Sequence, residues 1–415
     1  VSDDELRALE RAVSAGGGAA ERVALARALA RLGREDDAFD VLFPAIDDEA
    51  VRGELARFPA WTHDEADAGT TNHVDVAPLR GEPRLRWTVE GASELGWSLA
   101  SPLGIVCLFG SVARVLDPRT GGVRYERPLA GRVRPPVVAG GVLLSFTGTT
   151  IVAIDLWSGE TLHEHPIDAH DDVCFADDLL LAVGGDGNLL SAWRLRSPRQ
   201  PPERLWQFRG RPLQYRRPVV AADRVVLGEA RAAFAILERE TGAVLRRESG
   251  HSPRIDARGL IMERDDGVFA PGPAGEPLWT ARGYGPVRAL TPAHVVVGSS
   301  DRRNVRIGLL DRATGASAGV LFRTTFDERV YPRAVVSCRD TVYVADVGLT
   351  IQALPTGAGK GWRFDSRAIA GAPVARLCPL TRRLYGATRD GTVFCLEESP
   401  HPSPPPLRGG GSAGD

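Results

Sequence analysis

The sequence is short of several residue types, and each shortage excludes something. Its five cysteines (Cys107, Cys174, Cys338, Cys378 and Cys395) include no CxxC and no adjacent pair, so neither a zinc knuckle nor a disulfide framework is encoded. Isolated thiols of this kind fit a reducing compartment. Lys360 is the one lysine, Met262 the one methionine, and asparagine occurs only at Asn72, Asn188 and Asn304. No run approaches the roughly 18 apolar residues that cross a bilayer, and the opening Val1-Ser2-Asp3-Asp4-Glu5 lacks the basic and apolar regions of an export signal. The expectation is therefore a cytoplasmic chain without membrane contact. A net charge of -2 gives no field toward nucleic acid, so no nucleic-acid partner is expected. HExxH and P-loop motifs are missing too.

What is present falls into segments. Residues 1–57 have helical punctuation: Ser2 and Glu5 form a capping box, and Gly33 closes the run from Ala19. Val23, Leu25, Ala26, Leu29 and Leu32, then Ala38, Val41, Leu42 and Ala45, recur at helical spacing, which predicts a helical hairpin or triplet. Residues 58–82, with Pro59, Gly69, Pro78 and Gly81, read as linker, and the Pro/Gly-rich 399–415 as a disordered tail.

Between 83 and 398 the chain is a series of short Val/Leu/Ile runs broken by Gly, Pro and Asp, and the series repeats. VLDPRTGGVRY (115–125), AIDLWSGETLH (153–163), ILERETGAVL (236–245) and LLDRATGASAG (309–319) are clear copies; four fainter ones lie around Arg194, Pro271, Pro355 and Glu397. The eight anchor positions, Asp117, Asp155, Arg194, Glu238, Pro271, Asp311, Pro355 and Glu397, are 33 to 44 residues apart, about the length of a four-stranded propeller blade. The last unit runs into Pro400 and Pro402 with no fourth strand, while Arg84–Val89 has outer-strand character and no unit of its own. Pairing Arg84–Val89 with Thr392–Glu397 would close the ring and remove two open sheet edges. The fold expected is all-β, an eight-bladed propeller; seven blades stay open as an alternative, because the unit at Pro271 is short.

Apolar-apolar-Asp, two variable residues, Thr-Gly and a short run to Trp resembles the repeat of the pyrroloquinoline-quinone (PQQ)-like, quinoprotein-type propeller family across residues 83–398. Ala24–Leu42 resembles one tetratricopeptide-type repeat. The first resemblance implies that Trp87, Trp206, Trp279 and Trp362, with Tyr125 as a fifth, pack on the Gly turn of an adjoining blade. Burying a flat ring on a residue without a side chain is worth roughly 1.5 to 3 kcal/mol. The family also contains dehydrogenases that hold their quinone beside a vicinal disulfide, with calcium bound by Glu, Asn and Asp. This chain has no adjacent cysteines and almost no asparagine, so no cofactor and no enzyme activity are expected.

Two clusters invite metal chemistry. His163 and His165 alternate on a strand near Asp168, His170, Asp171 and Asp172, but the spacing matches no zinc site, and half-solvated polar residues are ordinary on an outer strand. Gly184–Asn188 reads as a hairpin turn. The remaining candidate surface is the propeller rim where outer strands cross to the next blade. There Arg134, Asp172, Tyr215, Arg217, Arg254, Arg288, Arg329, Tyr331 and Arg333 are assigned to partner binding, since planar Arg and Tyr groups suit protein interfaces. The expected function is a non-catalytic scaffold that binds a protein or acidic peptide; a PQQ-dependent dehydrogenase and a small-ligand-sensing propeller are the alternatives.

Overall fold

Positive-φ glycines and a repeated Asp cap explain why the chain turns where it does. In the computed structural model Asp117 Oδ1 accepts the N–H groups of Arg119 and Thr120, and Asp311 Oδ1 those of Ala313 and Thr314. Gly121 and Gly315 follow at φ +74 and +71, donating back to the Asp117 and Asp311 carbonyls. An L side chain rarely adopts that backbone conformation. Asp155 with Gly159 repeats the arrangement. The structure describes residues 2–399 apart from 61–71, 92–94, 130–135, 148, 168–172, 185–187, 211–217, 222, 230–232, 274, 301–303, 326–333, 347–348 and 370.

The strands form eight antiparallel blades around a ring. In chain order blades 1 to 7 span residues 95–128, 137–166, 173–209, 219–249, 251–282, 287–325 and 334–365. Blade 8 takes Val374–Leu380, Arg383–Thr388 and Val393–Glu398, and is completed by Pro83–Val89. Leu85 pairs with Leu396 and Thr88 with Phe394, so the early strand closes the wheel on the terminal one. Eight blades, not seven, follow. Blade 5 is the short unit because a single residue, Gly250, connects Val244–Ser249 to His251–Asp256.

Seven anchors sit at or just past the end of a third strand, beside the turn to the fourth, and Glu397 lies near the end of the third strand of blade 8, whose fourth strand is Pro83–Val89. Four of the five aromatics pack as the resemblance implies, while Trp362 meets the Leu79 carbonyl in place of a Gly turn. A Cβ on Gly121, Gly159, Gly242 or Gly315 would come within 2.5 to 2.9 Å of Trp87, Tyr125, Trp206 and Trp279, respectively. The indole N–H groups of Trp206 and Trp279 donate to the carbonyls of Arg239 and Arg312 at the same turns. Ring and turn are reciprocal. Blades 3, 5 and 7 lack the turn in which Asp or Glu is followed by two residues and Thr/Ser-Gly, and the blades preceding them carry His163, Arg246 and Gly319 at the position where others carry the aromatic. Three of the four faint copies, those around Arg194, Pro271 and Pro355, are thus the blades that receive no ring.

The N-terminal region is four α-helices: α1 (Asp3–Ser14), α2 (Ala19–Arg31), α3 (Glu35–Leu42) and α4 (Glu49–Leu55). Ser2 Oγ accepts the Glu5 N–H, the first half of the expected capping box. Phe39, Leu42, Ile46 and Leu55 are buried in one core with blades 7, 8 and 1, so the helices dock on the wheel. They lie on the face that carries the strand 1–2 and 3–4 turns, here called the turn face. The opposite, crossover face carries the blade-to-blade connections.

Candidate functional site

The turn face is the built surface of this molecule, and charge pairs fix the helices to it. Arg339, in the first turn of blade 7, binds Asp36 and Asp75; Arg382, in the first turn of blade 8, binds Asp37 and Asp40. Burial raises the Asp40 carboxyl above its ordinary range despite Arg382. Arg119 of blade 1 reaches Asp47 at 3.0 Å. Arg52 of α4 and Arg124 of blade 1 both lie over the Trp157 ring, 4.5 and 3.7 Å from its centre. Asp117 feels burial first, which raises it, but hydrogen bonds from Arg119 and Arg124 outweigh this and hold it at about 2.

Residues 72–80, within the stretch read as linker, are stitched into the wheel. His73–Val74 adds in parallel to Ala334–Cys338, the innermost strand of blade 7, as a fifth strand on the channel side. Asn72 donates its amide to the Arg288 carbonyl at 2.7 Å, and His73 Nδ1 lies 2.9 Å from Ser337 Oγ. Burial lowers the His73 pKa to about 4, which keeps the ring neutral near pH 7. The Leu79 N–H donates to the Tyr343 hydroxyl, and Trp362 donates its indole N–H to the Leu79 carbonyl. Residues 79–82 thereby do at the closure what a strand 3–4 turn does in blades 4 and 6.

Of the residues assigned to the rim, Arg134, Asp172, Tyr215, Arg217, Arg329, Tyr331 and Arg333 lie outside the described residues. Arg254 and Arg288 are described, and both belong to inner strands rather than to a connection. Arg254 is buried and donates to the Val287 carbonyl at 3.1 Å. The Val287 N–H donates to Glu263 Oε1, and burial raises the Glu263 pKa while Arg254, His251 and Arg288 counter it. This is an ionic cluster shared by blades 5 and 6, and sequence reasoning missed it because Arg288 is 25 to 37 residues from the others and meets them only through the wheel. His163 Nε2 faces the Pro198 carbonyl and His165 packs edge-on against Trp193, while Asp168, His170, Asp171 and Asp172 lie outside the described residues. Among the described residues no cluster of metal ligands occurs.

The donor set of a quinone site does not assemble. All five cysteines are separate, buried and reduced, and burial raises the thiols of Cys107, Cys338 and Cys395. Asn72 spends its amide on the Arg288 carbonyl, and Asn188 and Asn304 sit at hairpin ends, as a turn role requires. These residues do not fit a quinone and calcium pair. A cavity of about 700 Å³ lies between the helices and blades 1 to 3, lined in part by Phe58, His73, Ser101, Phe175 and Asp177.

A family profile described as outer membrane protein assembly factor BamB matches residues 123–248. No curated protein matches the sequence. Among solved structures, BamB from Moraxella catarrhalis superposes with a TM-score of 0.56 at 14% identity, over 76% of this chain and 99% of that one. Quinohemoprotein alcohol dehydrogenase from Comamonas testosteroni superposes with 0.58 at 10% identity, over 85% and 83%. The computationally designed Ika8 protein gives 0.59 at 15%, over 77% and 99%. At such identities the likeness is one of fold, and the fold is shared by an assembly factor, an oxidoreductase and a design without natural function.

Proposed function

We propose that this eight-bladed propeller, whose repeats resemble the PQQ-like, quinoprotein type, is a non-catalytic scaffold in the cytoplasm that binds another protein or an acidic peptide on its crossover face. One observation carries this reading: the chain covers its own turn face over blades 7, 8, 1 and 2 with four helices, and lines its own channel with residues 72–74. The turn face over those four blades is thereby closed to an outside partner, which favours the opposite face for the scaffold contact. In the sequence, the stretches between blades that lie outside the described residues contain Arg132, Arg134, Tyr215, Arg216, Arg217, Arg329, Tyr331 and Arg333, groups that desolvate at modest cost and bond directionally. The family profile of an outer membrane assembly factor supports a protein partner in general terms.

Replacing Arg134, Arg217 and Arg333 together by glutamate tests it. Partner capture from the native host is expected to disappear with thermal stability unchanged; capture that survives places the partner elsewhere. The oxidoreductase alternative draws support from the fold it shares with alcohol dehydrogenases. Against it stands the donor set, so addition of PQQ and calcium is expected to give neither a bound quinone band nor dye reduction, and either signal would establish the enzyme. Small-ligand sensing is favoured by the 700 Å³ cavity at the helix–propeller junction, a size that suits a metabolite. Its signature is thermal stabilisation by one compound of a metabolite panel.

A further inference from the structure

The seam between blades 4 and 5 departs from the repeat in a way that leaves a groove. Arg246 holds the position where Trp206 and Trp279 stack on the next blade, and it donates to the Pro273 carbonyl instead of covering a glycine. The blade 5 turn, Gly272–Glu276, is clipped and carries no Asp cap. What remains open on the turn face, away from the docked helices, is a groove of about 520 Å³ running from Arg224 over blade 5 to Ala313.

Its chemistry is two-sided. Four arginines line it, Arg224, Arg246, Arg258 and Arg312, against one carboxylate, that of Asp311. Asp311 is engaged by the Ala313 and Thr314 N–H groups and the Thr314 hydroxyl. Arg312 is held by Asp256, and Arg246 by Glu248 at 3.0 Å. Arg258 is exposed and uses Nη1 on the Pro292 carbonyl, and among the described residues Arg224 pairs with the exposed Asp223 at 3.3 Å. These two therefore keep guanidinium surface for a ligand. The wall between them is apolar: Leu278 beside Trp279 is 64% exposed. Val244 and Leu245, on the neighbouring outer strand, are 40% and 53% exposed. Three of the six large hydrophobic side chains exposed among the described residues thus flank this single seam.

We propose that the groove over blade 5 binds an extended segment of a partner protein in which an Asp or Glu alternates with a large apolar side chain, the carboxylates on Arg224 and Arg258 and the apolar group on Leu278. Charge complementarity commits the occupant, since a guanidinium pairs with carboxylate in two parallel bonds and the apolar wall adds area. The site rests on the scaffold reading but lies on the other face from the residues invoked there, so the two fail separately.

The test uses the full chain and a fluorescein-labelled hexapeptide of alternating aspartate and leucine, read by anisotropy. Saturable binding is expected that weakens with salt. It should weaken roughly tenfold or more in Arg224→Glu/Arg258→Glu and with a peptide in which lysine replaces aspartate. Ala313→Trp, which fills the groove from an exposed position without altering charge, is expected to give the same loss, so a folding defect in the arginine variant leaves the question answerable. The Arg134/Arg217/Arg333 variant should bind the peptide as the parent does. Absence of saturable binding, binding unchanged by both groove variants, or loss only in the crossover-face variant overturns the site. So does a concentration-dependent dimer that dissociates in Leu278→Glu, because a second copy would then be the occupant.

Discussion

Trp362 donates its indole N–H to the carbonyl of Leu79 across 2.6 Å, joining the outer strand of blade 7 to a segment 283 residues earlier in the chain. The same donor in Trp206 and Trp279 finds a carbonyl in the next blade 33 residues onward. Where the wheel closes there is no onward turn to supply one. Residues 79–82 take its place, and with Pro83–Val89 they make the closure out of both a turn surrogate and a strand.

The closure makes Tyr343→Phe informative. The Tyr343 hydroxyl accepts the buried Leu79 N–H at 2.7 Å, and the substitution leaves that donor unmatched without changing shape. A loss of about 1 to 3 kcal/mol is expected in denaturant unfolding. A change near zero would show that residues 79–82 contribute nothing to closure.

Two glycines separate steric from conformational demand. Gly110 and Gly121 both have positive φ, +58 and +74, but a Cβ on Gly110 meets nothing, while one on Gly121 falls 2.7 Å from the Trp87 ring. Gly110→Ala should cost about 1 kcal/mol. Gly121→Ala should cost roughly 3 kcal/mol or more, and much of the excess should vanish in a Trp87→Ala background. Equal midpoints for the two single variants would refute ring-on-glycine packing.

His73 predicts a pH dependence of defined sign. Its folded pKa, about 4, lies below the ordinary 6.5, so protonation favours the unfolded chain. The neutral ring's contribution is complete above pH 6.5 and is lost as pH falls from there to about 4, by about 3 kcal/mol at most. Asp117 acts in a lower window, between its ordinary 3.8 and about 2. His73→Gln should flatten the stability profile between pH 6.5 and 4 and leave the lower limb in place; an unaltered upper limb would refute the assignment.

Helix docking is expected to depend on buried charge more than on surface pairs. Arg382→Leu leaves the partly buried Asp40 without its partner, at a cost of about 1 to 3 kcal/mol, together with faster proteolysis between α4 and His73. Arg367→Leu removes an exposed pair with Asp365, side chains 71% and 52% accessible, and should leave the melting temperature unmoved. Similar behaviour of the two variants would count against charge-fixed docking.

Much of the wheel was legible in the chain because its information is local. Asp117, Thr120 and Gly121 specify a turn within five residues, and repetition at about 40 residues specifies a blade whatever its neighbours are. The orphan strand at Arg84–Val89 was legible for a further reason, that a wheel short of one strand has an open edge to satisfy. The turn-face groove, the channel strand at His73–Val74 and the Arg254–Glu263–Arg288 cluster were not. Residues 72–80 are Pro-containing and unpatterned, so composition reads them as linker, and their bonding is set by partners more than 200 positions away.

The sequence by itself determined the fold class and the place of closure, since hydrophobic alternation and turn chemistry act over a few residues at a time, whereas the choice of eight blades over seven came with the tertiary structure. Only the tertiary structure decided that the helices lie on the turn face, that Arg254 is an interior group, and that the blade 4–5 seam stays open. Each of those depends on which side chains the closed ring brings together, and proximity across a ring has no trace in the order of residues along it.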